Sequence, residues 1–356
     1  PKGGPGDPAV PAAAPSHTEA PTQTPEPTET PAPTEAPRPT EAPTPSPVVI
    51  TLSAAGDCTL GGDMLGSTEK QFHQQITKDD QPNEYCFRNV QGIFAADDLT
   101  IVNLEVVLTD SRAYDRSDKS KVFIMRGKPA YAQMLPLASI EIANIANNHM
   151  TDFGEAGIEE TTGYLDEQGV GYCGYGRTLI KEVKGVKVGF VGINSWTTPE
   201  DDMKALISDM RAQCDVLVVS FHWGSELEYR ATAKQVRYGH MAVDRGADLV
   251  LGHHPHVVNG IEVYKGVNIV YSLGNFSFGG KRNPKDKDTF IFQQQFTVQD
   301  GEILSTEPSV IPCRITSSSS YNNYQPTPVT GQAADQILKK IEYYSRKFDQ
   351  ALNLID

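Results

Sequence analysis

Long apolar runs are missing from this 356-residue chain. Nothing in it approaches the roughly 18 uninterrupted apolar residues that suggest a membrane-spanning helix. Positive charge is short as well: Lys and Arg number 31 against 45 Asp and Glu, a formal charge of −14. That balance argues against duplex binding by phosphate neutralisation, and no nucleic-acid partner is expected. Cysteine is sparse and scattered. Cys58, Cys86, Cys173, Cys214 and Cys313 include no C-x-x-C pair and make an odd total, which signals neither a thiolate zinc site nor a disulfide framework. An odd count sits awkwardly in an oxidising compartment, whereas anaerobic surroundings would leave the thiols free. Cys214, just before an expected strand, reads as buried apolar packing.

Proline is ordinary over most of the chain, because 15 of the 25 prolines fall in residues 1–47. The tract 11–47 repeats Thr-Glu-Ala-Pro at Thr18–Pro21, Thr34–Pro37 and Thr40–Pro43, with no aromatic or large aliphatic residue. It cannot build a core. Extended polyproline II makes residues 1–47 a semi-stiff, disordered spacer holding a domain away from the cell envelope, with a plain unstructured tail as the alternative. Residue 1 is not Met, so a native N-terminus bearing an anchor or signal is expected to be missing, and membrane association is expected only through it. The expected location is extracellular or cell-surface, tethered by the spacer. Residues 48–315 then form one large domain, and 316–356 supply a loop and a C-terminal helix packed on it.

Beyond Val48, apolar β-rich runs alternate with helical patterns, the signature of a layered α/β fold. Strands are predicted at 48–54, 99–104, 140–146, 186–193, 216–221 and 248–252. Later runs at 261–264, 268–273, 289–298 and 302–311 read as antiparallel hairpins. Helices are predicted at 155–168, 199–213, 232–245 and 331–355, and the Ser-rich stretch 317–328 as a flexible crossing loop. The residues at the strand ends are informative. Five strands run into Asp57, Glu105, Asn147-Asn148-His149, His222 and His253-His254-Pro255-His256. Strand carboxyl ends in an open α/β sheet share one edge, where ligands bind. Carboxylates, an amide oxygen and imidazoles gathered there make a mixed oxygen and nitrogen set suited to manganese, zinc or iron. Glu105 could bridge two such ions. Singly, each residue has a plainer reading: Asp57 and Asn148 as turn residues, His222 as a satisfied buried histidine. The H-P-H segment, read as extended, puts His254 and His256 on one side.

These segments resemble the poly-γ-glutamate capsule synthesis proteins of the CapA type, whose fold is similar to that of calcineurin-like metallophosphoesterases. The resemblance rests on Gly56-Asp57, Asn103-Leu104-Glu105, Ala146-Asn147-Asn148-His149 with Asp152 and Gly154, His222-Trp223-Gly224 with Glu226, Gly246-Ala247-Asp248, His254-Pro255-His256-Val257 and Ser272-Leu273-Gly274-Asn275-Phe276, over about residues 50–280. It implies an α/β fold, a four-layer α/β/β/α sandwich of mixed sheets, with the site at a sheet edge. It implies one or two divalent ions, with Asp57, Glu105 and His256 around one and Glu105, Asn148, His222 and His254 around the other. It also implies His149 as general acid near the leaving group, oriented by Asp152. One departure stands out: metallophosphoesterases carry D-x-H in the first motif, whereas Cys58 and Thr59 follow Asp57 here. The expectation is therefore one well-held ion and a weaker or empty first position, with Cys58 pointing away from Asp57.

Arg126, Lys128, Arg230 and Lys281 are candidates for holding an anionic substrate, Arg126 foremost because a guanidinium fork suits phosphate or carboxylate. Glu226 and Asn275 join them as candidate substrate-binding residues. Trp223 reads as core or as a pocket wall. The resemblance points to poly-γ-glutamate biosynthesis or processing, with the anionic polymer as partner, membrane-bound capsule-synthesis proteins as further partners, and metal-activated water cutting or transferring an amide. The alternatives are a metal-dependent phosphoesterase acting on a phosphate ester, and a non-catalytic polymer-binding scaffold.

Overall fold

Runs rich in Val and Ile become the middle strands of two sheets, because a strand covered on both faces must be apolar at nearly every position. The computed structural model describes residues 46–115 and 121–355. The spacer expected over 1–47 lies almost wholly outside the described residues. The larger sheet has eight strands. Across it run Thr327–Pro328, Glu302–Arg314, Asp288–Gln299, Val48–Thr59, Leu99–Leu104, Ile142–Asn144 and Gly171–Cys173, with Asn275–Phe278 paired to the far end of Val48–Thr59. It is parallel from Val48–Thr59 towards Gly171–Cys173 and antiparallel on the other side. The second sheet has six strands in the order Ile261–Tyr264, Val267–Val270, Leu249–His253, Val216–His222, Val186–Asn194 and Thr178–Val183. Its centre is parallel and its two edges are antiparallel. Lys265-Gly266 and Asp300-Gly301 close two of the hairpins with both residues at positive φ, the turn whose twist matches that of paired strands.

Alternation along the strands decides the layers. Ile50, Leu52, Ala54, Leu99, Ile101 and Ile142 of the larger sheet share one buried core with Val188, Phe190, Val216, Val218, Leu249 and Leu251 of the second. The opposite face of the larger sheet, with Val102, Leu104 and Ala143, packs on the helices Thr68–Ile76 and Gly154–Glu167. The outer face of the second, with Val191, Leu217 and Val219, packs on Glu200–Arg211 and Ala233–Asp244. The layers are therefore helix, sheet, sheet, helix, the four-layer sandwich of mixed sheets implied by the resemblance.

The C-terminal part departs from its sequence reading. The last helix is Gln332–Ser345, eleven residues shorter than expected. It ends where the Ser345 hydroxyl accepts the Ile261 N–H at 2.8 Å, and Ala351 then bridges to Glu262. Ile337 and Ile341 enter the core between the sheets. Residues 317–328, expected as a flexible crossing, are pinned instead: the Asn323 side chain bonds Thr316, Ser317 and Gln325, and Asn322 donates to the Phe278 carbonyl at 2.8 Å. No helix among the described residues is long and apolar enough to cross a membrane. All five cysteines are free thiols, four of them buried and Cys214 half-buried.

Candidate metal centre

Asp57 reaches the cleft between the sheets through a slip of register. As far as Ala54, the even-numbered residues of its strand face the inter-sheet core. A bulge between Ala55 and Asp57 inserts Gly56 and reverses the parity, so Asp57 turns inward while Cys58 joins the core under the helices. Gly56 leaves no room for a side chain: a Cβ there would lie 2.0 Å from the Gly274 carbonyl oxygen, beside the Asp57 N–H bond to that same oxygen at 2.9 Å. Elsewhere the plain alternation suffices. Leu99 and Ile101 lead inward to Asn103 and Glu105, Val216 and Val218 to His222, and Leu249 and Leu251 to His253. Asp57, His222 and His253 lie within their strands, so the pleat fixes their direction.

The gathered donors form two overlapping sets. One ligand atom from each of Asp57, Glu105 and His256 lies within 4.8 Å of the others, and the same holds for Glu105, His222 and His254. Asp57 Oδ2 stands 3.0 Å from His256 Nδ1, and Glu105 Oε1 stands 3.4 Å from His222 Nε2 and 3.7 Å from His256 Nε2. Asn148 Oδ1 lies 2.8 Å from His222 Nε2. A ladder of amides holds the first carboxylate: Asn144 donates to Asn103 at 3.0 Å, and Asn103 donates to Asp57 Oδ1 at 2.8 Å. The H-P-H segment is not extended, as its sequence suggested. His254 and His256 take φ of +92° and +58°, a costly conformation for side-chain-bearing residues that the surroundings must enforce. The effect is to send the two rings to different sets.

Buried charge makes this a site in need of a cation. Burial alone would raise Asp57, but the facing imidazoles of His253 and His256 hold it well below the usual carboxylate range. Burial pushes Glu105 up to about 8, against the pull of His256. Burial lowers His256, but the Glu105 charge and the Asp57 carboxylate carry it up to about 10. Desolvation takes His254 down to about 2 and His222 well below the ordinary imidazole value. Neither oxygen of Glu105, nor His254 Nδ1, nor either nitrogen of His253 has a hydrogen-bond partner among the described residues. Five buried polar atoms left without partners around one point are costly unless something binds there. Once Glu105 and His256 give up their protons, the two carboxylates and the imidazoles fit a divalent first-row cation. Cys58 does not serve, since burial raises its thiol far above the ordinary value.

His149 sits at the mouth, its Nδ1 2.9 Å from Asp152 Oδ2. Asp152 also accepts the Met125 N–H at 2.7 Å and the Lys121 ammonium at 2.8 Å. The expected substrate-binding residues fare differently. Arg126 is 7% exposed and committed to Glu69 at 2.5 Å and to the Ser111 carbonyl at 2.8 Å, so its fork braces the fold rather than facing a ligand. Asn275 holds His256, with Oδ1 2.9 Å from Nδ1 and Nδ2 donating to the His256 carbonyl at 3.1 Å. Arg230 reaches Tyr343 on the last helix, at 3.0 Å from the hydroxyl. Lys128 meets His73 at 3.0 Å. Glu226 is exposed and its charge is felt by His256.

Trp223 is core, stacked on Phe221 and Tyr271. The aromatic at the site is Trp196, 47% exposed, with ring centroids 4.6 Å from His254 and 5.8 Å from His222. Sequence reasoning misses it, although it lies just beyond the Val186–Asn194 strand, where the strand-end rule applied elsewhere would find it. Lys121 carries no such signal.

Residues 51–280 match the family model described as "Bacterial capsule synthesis protein PGA_cap". The chain is 29% identical over 309 residues to the capsule biosynthesis protein CapA of Bacillus anthracis, covering 79% of this chain and 70% of that protein. It is 30% identical over 253 residues to the PGA biosynthesis protein CapA of Bacillus subtilis (strain 168), covering 65% of this chain and 63% of that one. Among solved structures, a hypothetical protein from Thermus thermophilus aligns with a TM-score of 0.45 at 16% identity, over 74% of this chain and 99% of that one.

Proposed function

The chain belongs to the bacterial capsule synthesis protein PGA_cap family, and from that premise we propose that it serves poly-γ-glutamate capsule synthesis through a hydrolase-like centre that holds divalent cations between its sheets. The observation that carries this reading is Glu105, 1% exposed, lying in both donor sets with neither oxygen hydrogen-bonded among the described residues. Asp57, Glu105 and His256 hold one ion in this reading, and Glu105, Asn148, His222 and His254 the other, with manganese, zinc or iron as candidates. A cation bound there supplies Lewis acidity toward a phosphoryl or carbonyl oxygen.

The chain's own residues do the rest. Asp152, already carrying the Met125 and Lys121 bonds, holds Nδ1–H of His149 and favours the doubly protonated ring, whose Nε2–H is the proton given to the leaving atom. Trp196 covers His222 and His254 and keeps water from them. The polymer is a polycarboxylate, matched to cations in a cleft of an otherwise acidic protein. We place the domain outside the cell, tethered by residues 1–47 and working beside membrane-bound capsule-synthesis partners.

Cation analysis of the purified protein, followed by assays on p-nitrophenyl phosphate, bis-p-nitrophenyl phosphate and poly-γ-glutamate with and without manganese or zinc, tests this. Polymer shortening that needs the cation and is lost in His254→Ala is the expected result. Ester turnover without polymer cleavage would transfer the site to a phosphoesterase. Bound cation with neither activity would leave a polymer-binding scaffold.

A further inference from the structure

The first motif lacks an imidazole, and another buried histidine stands beside Asp57. His253 ends the Leu249–His253 strand, pairs in register with His222, and is 1% exposed. Its alternation with Leu249 and Leu251 sends the ring into the cleft between the sheets. There its Nδ1 stands 3.5 Å from Asp57 Oδ1, while His256 faces the other oxygen, Oδ2, at 3.0 Å. Neither ring nitrogen has a hydrogen-bond partner among the described residues.

We infer that His253 is a ligand of the first cation position, taking the place of the histidine that Cys58 and Thr59 do not provide. A buried histidine kept for packing alone would satisfy at least one nitrogen, since unpaired polar atoms in a core are costly. The spacing says what the ring is for. Hydrogen-bonded nitrogen and oxygen atoms sit about 2.7–3.2 Å apart, whereas two donors bound to one tetrahedral ion at about 2.0–2.2 Å each stand about 3.3–3.6 Å from one another. The Asp57–His253 pair at 3.5 Å and the His222–Glu105 pair at 3.4 Å take the second spacing, whereas Asp57–His256 at 3.0 Å and His222–Asn148 at 2.8 Å keep the first. The backbone supports the assignment as well. His253 is the last strand residue before the positive-φ His254, so a regular pleat holds it while the strained turn carries its neighbours to their own places. In this reading His253 adds an imidazole on the Asp57 Oδ1 side to the set of Asp57, Glu105 and His256 whose donor atoms lie within 4.8 Å of one another.

This inference rests on the cation reading of the site, and the test separates the two. Wild type, His253→Gln, His253→Ala and His254→Ala are freed of metal, titrated with cobalt(II), and read by d–d absorption and by elemental analysis after dialysis. Thermal unfolding of each cation-free protein is measured alongside. Wild type is expected to retain two ions per chain. His253→Gln and His253→Ala are expected to retain one, with the first-position absorption lost and its affinity weakened at least about tenfold. His254→Ala is expected to lose the other band. The glutamine variant keeps polarity and size, so it reports ligation if the alanine variant fails to fold. Two ions of unchanged affinity in His253→Gln would overturn the inference and leave the cation reading intact, as would a shift in cation-free stability with no change in ion count. A wild type that binds one ion would overturn it too, and one that binds none would overturn both.

Discussion

Glu105 and Arg126 are both buried ionisable residues, and their surroundings differ. Arg126 has all its partners within the protein, in Glu69 and two carbonyls. Arg126→Leu is therefore expected to cost about 2–4 kcal/mol in urea unfolding by leaving Glu69 unpaired, with the KM for polymer unchanged; a raised KM at full stability would restore it as a substrate contact. Neither oxygen of Glu105 has a hydrogen-bond partner among the described residues, and its burial produces a pH dependence. Its carboxyl is raised to about 8 from an ordinary 4.5, so the cation-free protein loses stability as pH climbs from about 4.5 to about 8 and the buried group is forced to ionise. Facing it are Asp57, His149, His253 and His256, and at neutral pH the Glu105–His256 pair retains protons. A cation must displace them. Affinity is expected to rise with pH up to about 8, where Glu105 ionises, and on towards about 10, where His256 does, with protons released on binding, as calorimetry in buffers of different ionisation enthalpy would record. Binding that is flat across that range would contradict this. Arg126 also marks a limit of sequence reading, since VFIMRGKP shows an arginine but not the Glu69 that sits 57 positions away.

Among the elements, the strands were the most legible, and the bulge and turn that aim the donors the least. Runs such as VLVVSF announce a strand by composition, and alternation carries the inward face to His222 without further information. The bulge at Gly56 is different. Nothing local in SAAGDC says that the pleat slips there, because the cause is the Gly274 carbonyl oxygen, which a Cβ at Gly56 would strike. Gly56→Ala is expected to cost more than about 3 kcal/mol and to abolish cation binding even where the chain still folds; a variant that folds and binds like wild type would show that the bulge does not set Asp57. The turn at His254 and His256 was equally hidden, since H-P-H reads as extended until the positive φ values are seen. The last helix stops early because the Ser345 hydroxyl accepts a strand N–H, a contact across the fold that an apolar stripe does not report.

At the scale of the whole molecule, the two sheets bring together residues that the chain keeps almost 200 positions apart, from Asp57 to His256. The last helix closes the far end of the same core, and Ile337→Ala is expected to cost about 2–4 kcal/mol through the cavity it leaves, lowering the midpoint of thermal unfolding without changing the number of ions bound. An altered ion count would mean that helix and site are coupled. The four-layer order is legible in the alternation of strands and helices, and the gathering of donors at one edge in where those strands stop. The sequence leaves open whether imidazole, amide and carboxylate converge tightly enough to share an ion. Anomalous diffraction from crystals grown with manganese answers that most directly. Two peaks flanking Glu105, one beside Asp57 and His256 and one beside His222 and His254, are the predicted result. An ordered Glu105 carboxylate with no peak beside it would contradict the account.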